Sequence, residues 1–231
     1  MAIYAMGDLH LSLGGNKPMD VFPGWRGYVE RIEAGWRETV GSGDTVVIPG
    51  DFSWGTSFEE ARPDFLFLES LPGKKLILKG NHDYWWSTRT KIKKFFDENG
   101  LSSVDIIHNN SVLCENTALC GTRGWVFGPE APEDVKLSER EALRLEASLK
   151  DAECFGDGPE RVVFLHYPPV FAGELAPKMY DIMKKHGVKR CFYGHVHGPA
   201  CSQAVDGPYL DMEFRLVSAD HVGFRPVLVS E

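Results

Sequence analysis

The chain has 231 residues and a formal net charge of −8, with 43% hydrophobic and 25% charged residues. This length fits one large domain with a sizeable core, and the proportions of hydrophobic and charged residues are those of an ordinary globular protein. No apolar run approaches the roughly 20 residues of a membrane-spanning helix, and the opening MAIYAMGDLH lacks a secretory signal. We therefore expect a soluble, cytoplasmic protein without a membrane anchor. The acidic balance, without a basic stripe, disfavours binding of long nucleic acids.

Alternating strands and helices are predicted for the first half of the chain. Apolar, β-branched runs indicate strands at 2–6, 45–48 and 75–79. Apolar residues at three- and four-residue spacing indicate helices at 25–40, 58–71 and 88–99. Pro63 is expected to interrupt or to begin the second helix, because proline is tolerated only in a first turn. Gly100 is expected to end the third.

The pattern changes beyond residue 100. Short strands at 105–108, 111–115 and 117–121, separated by asparagine turns, are expected to be antiparallel. A long charged helix is predicted at 137–155, with Ser138 as its N-cap and Glu141 at capping-box spacing. Strands at 161–166, 189–193, 214–218 and 225–229 and a helix at 177–186 complete the chain. With no repeat or linker, these elements predict a single mixed-sheet α/β domain over residues 1–231 with helices outside.

Five separated fragments place carboxylate, amide and imidazole side chains where predicted strands end. They are GDLH at 7–10, GD at 50–51, GNHD at 80–83, the isolated His166, and GHVH at 194–197. In open α/β sheets, ligands bind at the carboxyl ends of the strands. Each fragment alone is weak evidence, since short motifs commonly arise without function. Their joint occurrence in this order indicates one shared site.

This ordered set, DxH, GD, GNH(D/E), H and GHxH, resembles the calcineurin-like metallophosphoesterase superfamily over residues 7–197. The resemblance implies an αββα sandwich of two mixed sheets flanked by helices, with a dinuclear metal centre at the strand ends. It also implies seven metal ligands in two sets that share Asp51 as a bridge. The sets are Asp8, His10, Asp51 and His197 for one ion, and Asp51, Asn81, His166 and His195 for the other.

The ligand types indicate which metals and which reaction to expect. Imidazole, carboxylate and amide ligands without thiolates favour first-row transition metals such as Mn, Fe, Co, Ni or Zn. Two divalent ions offset by two carboxylates and a bridging hydroxide leave about one net positive charge, which attracts a phosphate ester. Such a pair, about 3.5–4 Å apart, generates hydroxide at neutral pH and neutralises charge on phosphorus. We therefore expect hydrolysis of small phosphomonoesters or phosphodiesters, with nucleotides among the candidate substrates.

Three further residues are candidates for catalytic roles. The resemblance implies that His82 donates a proton to the leaving alkoxide. Asp83 could hold the other nitrogen of that imidazole and favour its charged form, or act in a turn or a helix cap. Arg123, between two glycines, could bind phosphate bidentately or form a salt bridge. One or two of Trp54, Trp85, Trp86 and Trp125 could form an aromatic wall, and most are expected in the core.

The chain also departs from some members of the superfamily. Serine/threonine protein phosphatases extend the second motif as GDxVDRG, whereas this chain has GDFSWG and lacks that phosphate-gripping arginine. This difference favours a bacterial-type phosphohydrolase. Residues 126–160 are predicted to be a helical insert that covers the site or mediates association. Two alternatives from other classes are a non-catalytic scaffold, which the complete ligand set disfavours, and a nuclease, which the acidic balance disfavours.

Overall fold

The computed structural model describes residues 1–125 and 132–231, and within them the chain forms thirteen strands and five α-helices. The strands are β1 (Ile3–Ala5), β2 (Thr45–Ile48), β3 (Lys74–Ile77), β4 (Val104–Ile106), β5 (Val112–Cys114), β6 (Thr117–Thr122), β7 (Glu160–Leu165), β8 (Val170–Phe171), β9 (Glu174–Leu175), β10 (Arg190–Tyr193), β11 (Gly207–Tyr209), β12 (Met212–Leu216) and β13 (Val227–Ser230). The helices are α1 (Tyr28–Thr39), α2 (Phe58–Ser70), α3 (Arg89–Glu98), α4 (Pro132–Asp151) and α5 (Pro177–Lys185).

The strands of the described chain form two mixed sheets and one short hairpin. The first sheet has the order β13-β1-β2-β3-β4, in which β13 is antiparallel to β1 and the other neighbours are parallel. The second has the order β11-β12-β10-β7-β6-β5, antiparallel at both edges and parallel between them. β8 pairs with β9 in the hairpin.

The prediction of an antiparallel region beginning at residue 105 was wrong for its first strand. β4 pairs parallel with β3, because α3 carries the chain back across the sheet between them. Only β5 and β6 form the expected antiparallel pair, and β6 is also parallel to β7.

Side-chain alternation along the strands builds four layers. Val47 of β2 is buried in a cluster shared with Phe164 of β7, so the two sheets pack face to face there. Val46 and Ile48 point the other way, into a cluster with the first three helices, and Val163 points into a cluster with α4 and α5. Since strand side chains alternate with a period of two, each central strand is buried on both faces. The αββα sandwich of two mixed sheets flanked by helices is confirmed.

The helices form the two outer layers. Trp36 of α1 and Phe65 of α2 are fully buried against the first sheet. Pro63 lies inside α2 without interrupting it, so that prediction was wrong; Ser57 caps the helix by accepting from the Glu60 amide. None of the helices in residues 1–125 and 132–231 is long and apolar enough to cross a membrane.

The charged helix α4 begins earlier than the predicted helix at 137–155. It begins at Pro132, so Ser138 is not its N-cap, and Glu141 does not close a capping box. The Glu141 carboxylate is instead fully buried, where it accepts a hydrogen bond from Thr122 Oγ1 at 2.6 Å. Leu145 of α4 is buried against the second sheet, so this part of the predicted 126–160 insert is an outer-layer helix. Residues 126–131 lie outside the described residues.

Candidate metal centre

The seven predicted ligands converge where the carboxyl ends of the strands from both sheets meet. An isolated parallel bridge between Gly7 and Ser218 joins the end of β1 to the end of β12 at this edge. The ligands follow five strands: Asp8 and His10 after β1, Asp51 after β2, Asn81 after β3, His166 after β7, and His195 and His197 after β10.

The first group of possible ligands consists of Asp8, His10 and His197, whose ligand atoms all lie within 4.8 Å of one another. His197 Nε2 lies 3.4 Å from Asp8 Oδ1 and 3.3 Å from His10 Nε2. Asp51 Oδ2 lies 3.8 Å from His10 Nε2, at the border of this group.

The second group consists of Asp51, His166 and His195, also within 4.8 Å. His166 Nε2 lies 3.5 Å from Asp51 Oδ2 and 3.2 Å from His195 Nδ1. Asn81 Oδ1 joins this group at 2.6 Å from His166 Nε2 and 3.0 Å from His195 Nδ1. Because Asp51 approaches a histidine of each group, its position suits a ligand shared by two ions.

The spacing of these atoms fits transition-metal coordination. Metal–ligand bonds of about 2.0–2.1 Å place neighbouring ligand atoms about 2.8–3.4 Å apart in octahedral or tetrahedral geometry. The separations between ring nitrogens, 3.3 Å in one group and 3.2 Å in the other, match this spacing. The nitrogen and oxygen donors, with no thiolate among them, suit divalent first-row ions.

Several ligands have a backbone conformation that non-glycine residues rarely adopt. Positive φ angles occur at Asp8 (56°), His10 (47°), Asp51 (50°) and His195 (73°). Such left-handed positions carry a conformational cost and occur frequently at functional sites. In the turns after β1, β2 and β10, the ligand side chains are therefore positioned at a conformational cost to the backbone.

Two motif glycines leave room for the carboxylates. A Cβ atom on Gly80 would lie 2.0 Å from Asp51 Oδ1, and one on Gly194 would lie 2.3 Å from Asp8 Oδ2. No side chain fits at either distance. The glycines of the GNH and GHxH motifs are thus required by the close approach of two carboxylates from neighbouring strands.

Hydrogen bonds at the far nitrogens orient two of the imidazoles. His166 Nδ1 lies 3.2 Å from the Pro49 carbonyl oxygen, which places its proton there and leaves Nε2 as an acceptor. His197 Nδ1 lies 2.8 Å from Asp220 Oδ1. Asp220 was not among the predicted site residues, although it lies two residues after the predicted 214–218 strand, as the other ligands lie shortly after theirs.

The charges of the ligand side chains are poorly balanced by one another. Burial and the nearby Asp8 carboxylate raise the pKa of Asp51 to about 8. Burial lowers the pKa of His10 and of His195 to about 3 each, so both rings are neutral acceptors. The pKa of His197 is raised to about 10, because Asp8 and Asp220 outweigh its burial. Two close carboxylates and the neutral imidazoles of His10 and His195 form an environment that suits divalent cations.

Asp83 does not make the predicted contact with the His82 imidazole, so that prediction was wrong. Its fully buried carboxylate accepts hydrogen bonds from backbone and indole N–H groups: Asp51 N, Phe52 N, Ser53 N, Gly80 N and Trp85 Nε1 at 2.7–3.2 Å. Burial and the Asp51 charge raise the pKa of Asp83 to about 7. The carboxylate thus ties the loop after β2 to the loop after β3, which agrees with the alternative role in a turn.

His82 lies at the edge of the ligand cluster. Its backbone N–H donates to Asp51 Oδ1 at 2.8 Å, and its ring packs against Trp54 with centroids 4.2 Å apart. Nδ1 is buried without a hydrogen-bond partner among the described residues. Burial and the neighbouring His166 lower the pKa of His82. The charged form is therefore disfavoured, whereas the prediction was that Asp83 favours it.

The tryptophans divide between the site and the core. Trp54 also stacks on His10, with centroids 5.0 Å apart, so it lies at the ligand cluster. Trp85 is buried in the first helical layer, and Trp86 packs against the same cluster. Trp25, which the sequence reasoning did not single out, packs against His10 and His197.

Arg123 lies beside the ligand cluster and forms the predicted alternative, an ion pair. Its Nη2 is 3.8 Å from Glu141 Oε1, and its guanidinium lies 4.4 Å from the centroid of the Trp125 ring. Its backbone carbonyl accepts hydrogen bonds from the amides of His166 and Tyr167. Arg123 is therefore held next to the predicted ligand His166.

An apolar cavity of roughly 430 Å³ opens beside the ligand cluster. Two predicted ligands, His195 and His197, form part of its lining. The remaining lining residues are mostly apolar: Tyr167, Pro168, Phe171, Ala172, Glu174, Val196 and Ala200. The cavity therefore offers an apolar surface in contact with the candidate metal centre.

Comparison with known proteins agrees with the fold. A profile of the family described as calcineurin-like phosphoesterase matches residues 1–199. The chain therefore belongs to the calcineurin-like phosphoesterase family, whose members are metal-dependent hydrolases of phosphate esters. No curated protein matches the chain. Among solved structures, a protein of unknown function from Aquifex aeolicus, AQ665, has a similar fold, with a TM-score of 0.53 at 16% identity over 98% of this chain and 95% of that one.

Proposed function

We propose that the chain hydrolyses small phosphomonoesters or phosphodiesters with two divalent transition-metal ions, drawn from Mn, Fe, Co, Ni and Zn. The observation that carries this proposal is the convergence of two ligand groups around Asp51 at one edge of the sheets. Complete ligand groups of this kind disfavour a non-catalytic scaffold. The net charge of −8 disfavours a nuclease that acts on long nucleic acids.

The two ions would be held by overlapping sets of residues. These are Asp8, His10, Asp51 and His197 for one ion, and Asp51, Asn81, His166 and His195 for the other. When bound, the pair would supply a hydroxide nucleophile at neutral pH and offset the charge that develops on the phosphoryl oxygens. Pro49 and Asp220 occupy the Nδ1 atoms of His166 and His197, so that the Nε2 atoms of both imidazoles would be available to hold the ions.

In its protonated form, His82 is the proposed proton donor to the leaving group, and its lowered pKa makes that form the minor one at neutral pH. Its buried Nδ1 leaves Nε2 as the atom that can reach a leaving-group oxygen. Packing on Trp54 restricts rotation of the ring, and the backbone bond to Asp51 fixes the residue beside the centre. Asp83 acts as a positioning residue that holds the Asp51 loop.

The apolar cavity beside His195 is the proposed site for the organic part of the ester. Tyr167, Phe171 and Val196 present apolar surface to it, and burial of such surface contributes about 25 cal/mol per Å². An ester with an aromatic or aliphatic group should therefore bind more tightly than a small polar one.

The test uses the full chain loaded with manganese and p-nitrophenyl phosphate or bis(p-nitrophenyl) phosphate as substrate. His82→Ala should lower turnover by ~10²- to 10⁴-fold, and metal content should be retained, since the bond to Asp51 comes from the His82 backbone. His221→Ala is the matched control, because His221 pairs with Asp206 outside the site. Full activity of His82→Ala would overturn its role, and full activity of Asp51→Asn would overturn the metal centre.

A further inference from the structure

A second cavity, of roughly 280 Å³, lies at the ends of β3, β4 and β6 and contains none of the seven predicted ligands in its described lining. Its charged lining residues are Lys79, Arg123, Glu141 and Arg144. Three cations and one carboxylate leave a net charge of about +2 when each has its ordinary charge. His108, which also lines the cavity, has a pKa lowered by burial and contributes no charge at neutral pH. This excess is notable in a chain of net charge −8.

The single carboxylate is shared among too many partners to neutralise the cavity. Glu141 Oε1 lies 2.7 Å from Arg144 Nη1, 3.6 Å from Arg140 Nε and 3.8 Å from Arg123 Nη2. Only the contact with Arg144 is a close hydrogen bond, since charge-assisted bonds of this type are about 2.7–2.9 Å long. Arg123 Nε is buried and has no hydrogen-bond partner in residues 1–125 and 132–231. Burying a cation with an unmet donor is costly unless an anion completes the site.

The cavity adjoins the strand ends that carry the ligands. Lys79 lies two residues before Asn81, and the Arg123 carbonyl accepts from the amide of His166. Ser87 and Thr88, at the beginning of α3, also line the cavity. The positive end of this helix dipole adds to the attraction for an anion.

We propose that this basic cavity binds a phosphoryl group additional to the one that is hydrolysed, either a second phosphoryl group of the same substrate or free inorganic phosphate. A phosphate dianion matches the net charge of about +2, whereas a carboxylate would leave half of it uncompensated. The planar guanidinium groups of Arg123 and Arg144 match phosphate oxygens in geometry as well as in charge. Only the first source rests on the proposed phosphoesterase function.

The test compares Arg144→Gln with Arg140→Gln in the manganese-loaded full chain. Both residues approach Glu141 and both variants remove one positive charge, but Arg144 lines the cavity and Arg140 does not. Calorimetric titration with inorganic phosphate should show about a tenfold loss of affinity at the cavity for Arg144→Gln, since a hydrogen bond to a charged group is lost. Arg140→Gln should bind phosphate within about twofold of wild type, because it leaves the lining intact.

Equal phosphate affinities of the two variants would overturn the proposal. If Arg144→Gln does not fold, Arg144→Lys replaces it, because lysine retains the ion pair with Glu141 but not the bidentate fork. Its phosphate affinity should fall below that of Arg140→Lys, and equality would again overturn the proposal.

Kinetics then distinguish the two sources of the phosphoryl group. If the cavity holds a second group of the substrate, Arg144→Gln should raise KM for adenosine diphosphate about tenfold with unchanged kcat, and leave KM for adenosine monophosphate unchanged. Unchanged KM for both, together with weakened phosphate binding, assigns the cavity to free phosphate. Absence of ester hydrolysis by wild type would contradict the proposed function. The phosphate titration would still show whether the basic cavity binds phosphate.

Discussion

Replacement of Asp83 by asparagine tests how the loops of the metal centre are held together. Oδ2 of this buried carboxylate accepts from Asp51 N at 3.0 Å and Gly80 N at 2.7 Å, and Oδ1 accepts from Phe52 N, Ser53 N and Trp85 Nε1. An asparagine can keep its oxygen at only one of these positions. If the asparagine oxygen takes the place of Oδ1, its three donors remain satisfied. The amide NH₂ then faces the N–H groups of Asp51 and Gly80, which lose their acceptor.

The expected loss follows from those two bonds. A hydrogen bond to a charged group contributes about 1.5–3 kcal/mol, so two of them amount to about 3–6 kcal/mol. The neutral side chain avoids burial of a charge beside Asp51, which offsets part of this loss. We therefore expect Asp83→Asn to lower the free energy of unfolding by about 3 kcal/mol. Loosening of the Asp51 loop should also weaken manganese binding by about 10- to 100-fold.

Asp64→Asn is the matched control. Asp64 is also fully buried, and it accepts from Leu13 N at 2.7 Å and Ser53 Oγ at 2.5 Å. Asparagine can keep the first bond and donate to the hydroxyl oxygen in the second, because a serine hydroxyl both donates and accepts. Urea unfolding in chelator and manganese titration by calorimetry measure the two effects. If Asp83→Asn loses no more stability or metal affinity than Asp64→Asn, the reasoning is refuted.

Three further predictions concern positioning, space and burial. Asp220→Asn should weaken manganese binding about 10- to 100-fold in calorimetry, because the carboxylate orients a ligand imidazole; unchanged affinity would contradict that role. Gly194→Ala should greatly reduce metal content, since its Cβ would lie 2.3 Å from Asp8 Oδ2, whereas Gly158→Ala, with nothing within 4 Å, should not. Burial lowers the pKa of Lys75 to about 8 from 10.5, so wild type gains stability as pH rises through this window. Measured by urea unfolding, the free energy of unfolding of wild type relative to that of Lys75→Met should rise by about 2 kcal/mol between about pH 7 and 9.5. A difference between the two proteins that does not change with pH would contradict the lowered pKa.

The strand-end ligands could be predicted from the sequence because each motif combines two local signals. A run such as TVVI at 45–48 is apolar on both faces, which indicates a buried parallel strand, and Asp51 follows three residues after its end. Parallel strands bring such positions to one edge whatever their separation in sequence. The predicted ligands therefore converge although Asp8 and His197 are far apart along the chain.

Contacts between side chains distant in sequence could not be predicted in the same way. Glu141 has the spacing of a capping box, yet its carboxylate is used by Thr122 and Arg144 inside the fold. Asp83 is adjacent to His82, but the turn directs it toward the amides of the β2 loop. In both cases local spacing suggested one partner, and burial of a carboxylate required others that satisfy it more fully.

The most direct test of the two-metal site is activity measured against manganese content. Metal-free protein would be titrated with manganese, with bound ions counted by elemental analysis and p-nitrophenyl phosphate turnover followed in parallel. The geometry around Asp51, which approaches a histidine of each ligand group, predicts two ions per chain and full turnover only when both are bound. Turnover that persists in chelator, or full turnover with one ion, would contradict the account.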